Sequence, residues 1–316
     1  MKALYLDKRL MLRDDYPDPR PAQGESLVRV NLAGICGTDL ELVRGYMAYR
    51  GVPGHEFVGH AVESGRPELI GKRVVGEINA ACGKCDWCHN DLGRHCPNRT
   101  VLGILGRDGA FTEYLVLPDD NLLPVPDSVP DNAAIFCEPL AAAREILAQI
   151  SIDPGESVAI LGDGRLGAII ALALKSAGVS AIIGGHHADK LERLAALQLS
   201  VSPEQSLEPG FDVVIDATGR PEGFKRALEL VRPRGRVILK STAAGSTPVN
   251  LAPLVVNEIT VIGSRCGRFG PALQSLASRT VDPSPLISAV YPLEDAAEAF
   301  KAAGQSSNFK VLLRIS

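Results

Sequence analysis

The chain has 316 residues, 46% of them hydrophobic, with 33 basic and 37 acidic side chains and a net charge of −4. That length suggests two domains, and the apolar share supports a sizeable core and argues against disorder. The two signs of charge are mixed and form no lysine or arginine block, so neither nucleic acid nor an anionic membrane is an expected partner.

The N-terminal stretch MKALYLDKRLMLRDD alternates apolar and charged residues and lacks the apolar core of a signal peptide. The longest apolar run, Leu166 to Leu174, is too short to span a bilayer. A cytosolic setting, where thiols stay reduced, is the expectation.

The first 140 residues read as β-rich. SLVRVNLAG alternates as a half-buried strand does, and EFVGHAVES, KRVVGEI and FTEYLVLP are further short strands set off by Gly, Pro and Asp. One short helix is expected from Thr38 to Arg44, just after Cys36.

Between these strands lies ACGKCDWCHNDLGRHC, which holds Cys82, Cys85, Cys88 and Cys96, four of the seven cysteines. Disulfides are disfavoured in the cytosol, and thiols two residues apart compete for the same bridge. The same spacing lets a tight turn aim several sulfurs at one point, which suits tetrahedral Zn²⁺. Four cysteines close the coordination sphere and leave no position for substrate. The loop therefore reads as a structural zinc brace, with an iron–sulfur centre or a redox cluster as the alternatives.

From about Glu138 the texture changes. PLAAAREILAQI is a helix with proline in its first turn. ESVAILGDGRLGAIIALALKSAG, VSAIIGG, the helical ADKLERLAAL, FDVVIDATG, the helical PEGFKRALELV, GRVILKS and ITVIGS follow. Apolar strands alternating with helices predict a parallel sheet covered on both faces. The chain ends in a helix, EDAAEAFKAAG, and a strand, FKVLLRI.

Gly162, Gly164 and Gly167 spell G-x-G-x-x-G between an apolar strand and an apolar helix. That context makes the loop from Gly162 through Asp163, Gly164, Arg165 and Leu166 to Gly167 a candidate pyrophosphate cradle, against the alternative of a merely structural turn. An acidic residue about 20 positions further on ordinarily binds the ribose 2′-hydroxyl. Here Gly185, His186 and His187 occupy that stretch. With no carboxylate to repel a 2′-phosphate, and with His186, His187 and Lys190 able to attract one, the residues favour NADP over NAD. Ordinary solvated loop histidines are the alternative.

In order, GICGTD, GHEFVG, the four-cysteine loop, CEPLA and LGDGRLG, with the ending ISAVYPLEDAAEAFKAA, resemble the zinc-dependent medium-chain alcohol dehydrogenases, in particular the polyol and threonine dehydrogenase branch. The resemblance covers essentially the whole chain. It implies an α/β protein: a GroES-like β-barrel catalytic domain from residues 1–139 and 267–316, and a Rossmann dinucleotide-binding domain from 140–266. It implies two zinc ions per chain, NADP or NAD as hydride carrier, a secondary alcohol or polyol and its ketone as substrate, and a homodimer or homotetramer.

Carried over by position, Cys36, His55 and Glu138 match the catalytic zinc ligands, and Glu56 matches an acidic neighbour that is either a ligand or lies just behind one. Many members have cysteine as the third ligand. Here the aligned residue is Glu138, with Cys137 one step before it. One thiolate, one carboxylate and one neutral imidazole would leave the centre formally neutral. Thr38 matches the relay hydroxyl, or else caps the helix after it. Glu41 stands where the relay often has histidine. Tyr46, Met47 and Tyr49 are candidates to line the substrate pocket, and His60 and Cys266 read as structural. A zinc-free alkene or quinone reductase and a non-enzymatic NAD(P) sensor are the rival functions.

Overall fold

The computed structural model describes residues 1–241 and 248–316. These form two units, Met1–Glu138 with Arg268–Ser316, and Pro139–Gly267. In the first unit the alternating segment lies in a long strand, Glu25–Ile35, within a seven-stranded sheet. Val28 and Val30 point into the core while Arg29 between them is exposed, the period-two pattern that marked it as a strand. Glu56–Glu63, Tyr114–Pro118 and Lys310–Arg314 pair with it antiparallel. The register sets Gly34 opposite Glu56 on one side and opposite Leu312 on the other. The end of the central strand and the starts of Glu56–Glu63 and Lys310–Arg314 therefore lie at one level, and the candidate site is built there.

Two local readings need correction. Ala3–Asp7 and Arg9–Arg13 form a hairpin turned at Lys8 (φ 61°), whereas the sequence marked this stretch only as alternating. The short helix runs Gly37–Val43 with Cys36 as its N-cap, so Thr38 lies inside the first turn and is not the capping residue. Asp39 supplies the other half of the cap, its Oδ2 accepting the Cys36 backbone N–H at 2.8 Å.

In the second unit six strands form one parallel sheet. They are β1 (Val158–Leu161), β2 (Ala181–Gly185), β3 (Ser200–Pro203), β4 (Phe211–Asp216), β5 (Val231–Leu239) and β6 (Thr260–Gly263), in spatial order 3-2-1-4-5-6. That is the doubly wound order of dinucleotide-binding folds, with its switch point beside β1. Ala159, Leu161, Val214 and Val237 pack beneath Ala227 and Leu230 of the helix Pro221–Leu230, which starts on its proline. β3 escaped the sequence reading because an edge strand of only four residues, SVSP, carries no apolar run. Among the described residues no helix is long and apolar enough to cross a membrane.

Candidate active site and zinc centres

The cysteine loop rises from a small three-stranded sheet of Asn79–Ala80, Thr100–Leu102 and Gly106–Arg107. Cys85 caps the one-turn helix Asp86–His89, Cys88 lies inside it, and Cys96 follows the 3₁₀ turn Gly93–His95 and is fully buried. The four sulfurs approach to 3.5 Å (Cys85–Cys88 and Cys82–Cys96), 3.7 Å (Cys85–Cys96) and 3.9 Å (Cys82–Cys88). A disulfide would need about 2.05 Å. Four sulfurs about 2.3 Å from a central zinc stand about 3.8 Å apart on the edges of a tetrahedron. The spacing thus fits a tetrahedral thiolate cage. A hydrogen bond from the Lys84 backbone pulls the Cys82 thiol down to about 6, whereas at Cys85 the Cys88 backbone bond is outweighed by burial and the neighbouring thiols, which push it up to about 11, so without a cation the four sulfurs are not all thiolates. Four thiolates this close repel one another, and a cation at their centre removes that cost.

The second cluster gathers Cys36, His55 and Glu56, whose ligand atoms all lie within 4.8 Å of one another. Cys36 directly follows the central strand, His55 directly precedes the strand beside it, and Glu56 opens that strand. His55 and Glu56 are almost wholly buried. Asp39, also fully buried, holds the group together. Its Oδ1 accepts the Gly54 N–H at 3.1 Å and lies 3.4 Å from His55 Nδ1. That ring nitrogen is buried and makes no hydrogen bond of good geometry. Burial pulls the imidazole's pKa down, but Asp39 and Cys36 outweigh burial and hold it well above its usual value. A thiol, an imidazole and a carboxylate converging in a buried place, with a carboxylate behind the imidazole, form a donor set that suits Zn²⁺.

Asp39 went unnoticed in the sequence, although an acid three residues beyond the N-cap is the signature of a capping box. Asp39→Ala is expected to weaken zinc at this cluster about 10–100-fold, as loss of a ligand-orienting carboxylate does, while the four-cysteine ion is retained. Competitive chelation of the two ions measures it.

Lys310 is the other residue that sequence reasoning missed. Its Nζ lies 2.5 Å from Glu56 Oε2, and both side chains are nearly inaccessible. The lysine stands 254 residues from its partner, and only the sheet register brings the two together.

The remaining candidates are placed as follows. Glu138 is half-buried in the first turn of the helix Cys137–Gln149 and is not among the atoms gathered around Cys36. Cys137 is buried with its Sγ 3.9 Å from the Phe269 carbonyl, and burial, then Glu138 and Glu77, push its thiol well above the usual range. Thr38 is half-buried, and Glu41 pairs with Arg44 one turn on. Tyr46 and Met47 are exposed, Met47 at a left-handed φ of 60°. Tyr49 braces its own loop by donating to the Val52 carbonyl at 2.8 Å. His60 contacts Asn31.

In the second unit Gly162 has φ 112° and donates to the Gly184 carbonyl at the end of β2. A Cβ on Gly167 would sit 1.9 Å from the Gly162 carbonyl, so only glycine lets the helix Arg165–Ser176 start so close to β1. Gly164, the N-cap of that helix, has open space around its Cα. Together these features leave exposed backbone and open space at a helix N-terminus, an arrangement that suits a pyrophosphate. Both histidine rings are already engaged by acids, His186 by Glu204 at 2.9 Å and His187 by Asp163 at 3.0 Å.

Residues 22–127 match the alcohol dehydrogenase GroES-like domain, and residues 166–279 match the zinc-binding dehydrogenase domain. The two domains and the donor clusters define a zinc-dependent dehydrogenase. The L-threonine 3-dehydrogenase of Streptomyces coelicolor is 33% identical over 95% of this chain and 94% of its own. An Escherichia coli CFT073 alcohol dehydrogenase, rspB, solved with NADH, superposes with a TM-score of 0.91 at 26% identity, covering 100% of this chain and 99% of that one. A zinc-binding dehydrogenase of Sinorhizobium meliloti 1021, solved with NADP, gives a TM-score of 0.90 at 26% identity over 99% of each chain. The chain belongs to the zinc-dependent medium-chain alcohol dehydrogenase family, in its polyol and threonine dehydrogenase branch.

Proposed function

We propose that the chain interconverts a secondary alcohol or polyol and its ketone, using Cys36, His55 and Glu138 as catalytic zinc ligands, with Glu56 as the carboxylate in reserve. The observation that carries this reading is the buried convergence of Cys36, His55 and Glu56 under the orienting Asp39. Zinc held by these residues would supply Lewis acidity toward the substrate oxygen, and bound NAD(P) would serve as the hydride acceptor. Asp39 fixes the imidazole, and Lys310 offsets the charge of Glu56. Thr38 takes the hydroxyl proton as the alcohol is oxidised. Glu41, paired with Arg44, lies one helical turn further on and is the group that receives that proton.

Oxidised substrate, reduced cofactor and one released proton balance the reaction. Zn²⁺ in the four-cysteine cage braces the loop and takes no part in the chemistry. A homodimer or homotetramer in the cytosol completes the reading. Pairing through β6 is supported by that strand's place at the end of the sheet among the described residues and by the exposed Leu251, Val255 and Val256 near it in sequence.

The test compares Glu138→Ala with Glu56→Ala. Glu138→Ala is expected to lower kcat/KM by more than about 100-fold, beyond the 10–100-fold typical of residues that only orient a ligand, and to release the catalytic ion. Full turnover and full zinc in Glu138→Ala, with loss of both in Glu56→Ala, would make Glu56 the third ligand.

A further inference from the structure

Asp163 stands between the first two glycines of the loop, and its carboxylate turns to the end of β2. Its Oδ2 accepts the backbone N–H groups of His186 and His187, both at 2.8 Å. The His187 ring nitrogen Nδ1 lies 3.0 Å from Oδ2 and 3.1 Å from Oδ1. Oδ2 is thus saturated, while Oδ1 shares only the ring and keeps capacity to accept. A Cβ built on Gly185 would lie 2.6 Å from both the Cβ and the Oδ2 of Asp163. The Asp163 side chain therefore fills the space where a side chain at position 185 would begin, and only glycine fits there.

This is the end of the second strand, where dinucleotide folds ordinarily place the acid that meets the ribose. The carboxylate missing from that strand is delivered by the glycine loop. Asp163 is 6% exposed. Burial alone would raise its pKa, but the His187 and His186 bonds outweigh it and hold the group below the usual carboxylate value. The histidines that could attract a 2′-phosphate are committed to Asp163 and Glu204. Lys190 is buried, and burial lowers its pKa.

We propose that Asp163 selects the nicotinamide dinucleotide, favouring NAD(H) and rejecting the 2′-phosphate of NADP(H). The proposal rests on the glycine loop being the dinucleotide site, and it reverses the preference that residues 185–187 alone suggest. Oδ1 accepts from a ribose hydroxyl, whereas a 2′-phosphate would bring a second anion against a fixed one. Lys190, with Arg165 and Arg193 in its electrostatic surroundings, is the positive charge that Asp163 has to outweigh.

The experiment is titration of the zinc-loaded protein with NADH and with NADPH, read by nicotinamide fluorescence and independent of turnover. The parent is expected to bind NADH at least about tenfold more tightly. Asp163→Asn keeps an acceptor for both backbone N–H groups and removes the charge, and it is expected to narrow the ratio by about tenfold. Equal binding of the two cofactors by the parent, or a ratio that Asp163→Asn moves by less than twofold, overturns the proposal while leaving the dinucleotide site intact. A parent that binds neither cofactor overturns both. Should Asp163→Asn fail to fold, Asp163→Ser decides, because it keeps an acceptor and removes the charge. An NADH-to-NADPH ratio narrowed about tenfold supports the proposal, and one moved by less than twofold overturns it.

Discussion

Cys85→Ser is expected to reduce the zinc content from two ions per chain to one, and to lower the melting temperature far more than the turnover of the surviving folded protein. The sulfur of Cys85 lies 3.5 Å from that of Cys88 and 3.7 Å from that of Cys96, so its loss removes one corner of the tetrahedron. Structural zinc sites carry on the order of 10 kcal/mol of apparent binding free energy, and that is folding free energy because the unfolded chain has no such site. Serine retains part of it as a weak oxygen donor, so the loss is a fraction of that figure. For a domain of this size each kcal/mol is worth roughly 2–4 °C. The loop stands on its own three-stranded sheet, whereas Cys36, His55 and Glu56 stand at the ends of the large sheet. Damage to the brace reaches the donor set indirectly, through the close packing of Gly103 on the backbone of Gly54 beside His55. Metal analysis after gentle chelation, a thermal melt and a turnover assay read the three effects. A variant as stable as the parent but inactive would place the chemistry in the loop and sink the division of labour between the two clusters.

The legibility of this chain followed the range of the interactions involved. Local periodicity exposed the alternating central strand, the apolar runs of β1, β2 and β4 and the helix opening on Pro221, because each signal is complete within about ten residues. The four-cysteine cage was legible for the same reason, since a one-turn helix and a 3₁₀ turn suffice to bring its sulfurs to 3.5–3.9 Å. The alternation around Lys8 was visible but was not assigned as a hairpin, and the edge strand Ser200–Pro203 was missed because four residues carry no apolar run. The donor set was legible only through family resemblance, because Cys36 and His55 meet across a strand pairing whose register no spacing rule gives. Asp163 shows the opposite failure. The rule that counts about 20 residues past the glycine loop looks for an acid at the end of β2. In this chain that acid arrives from the loop itself, and Gly185 makes room for it.

Lys310→Ala is expected to cost about 3–5 kcal/mol of stability in the protein from which the catalytic zinc has been chelated and the four-cysteine ion retained. Lys310 Nζ and Glu56 Oε2 are 2.5 Å apart with 3% and 1% of their side chains exposed, so neither group can turn to water if its partner is removed. The ammonium also lies 5.8 Å from the Phe136 ring centroid, an aromatic surrounding that tolerates a cation and offers an anion nothing. Removing the lysine leaves an uncompensated buried carboxylate, and that penalty exceeds the net worth of the pair. The double variant Lys310→Met/Glu56→Gln is accordingly expected to recover most of the loss, and denaturant unfolding of all members of the cycle gives the coupling. With the catalytic zinc in place the loss should shrink, because the carboxylate of Glu56 is gathered with Cys36 and His55 and can take the ion as its new partner. Turnover should then fall, since a carboxylate on the ion occupies the position the substrate oxygen needs. An equal loss with and without catalytic zinc would show that Glu56 cannot reach the ion. Lys310 would then be a buried counter-charge alone, with no part in keeping the coordination position open.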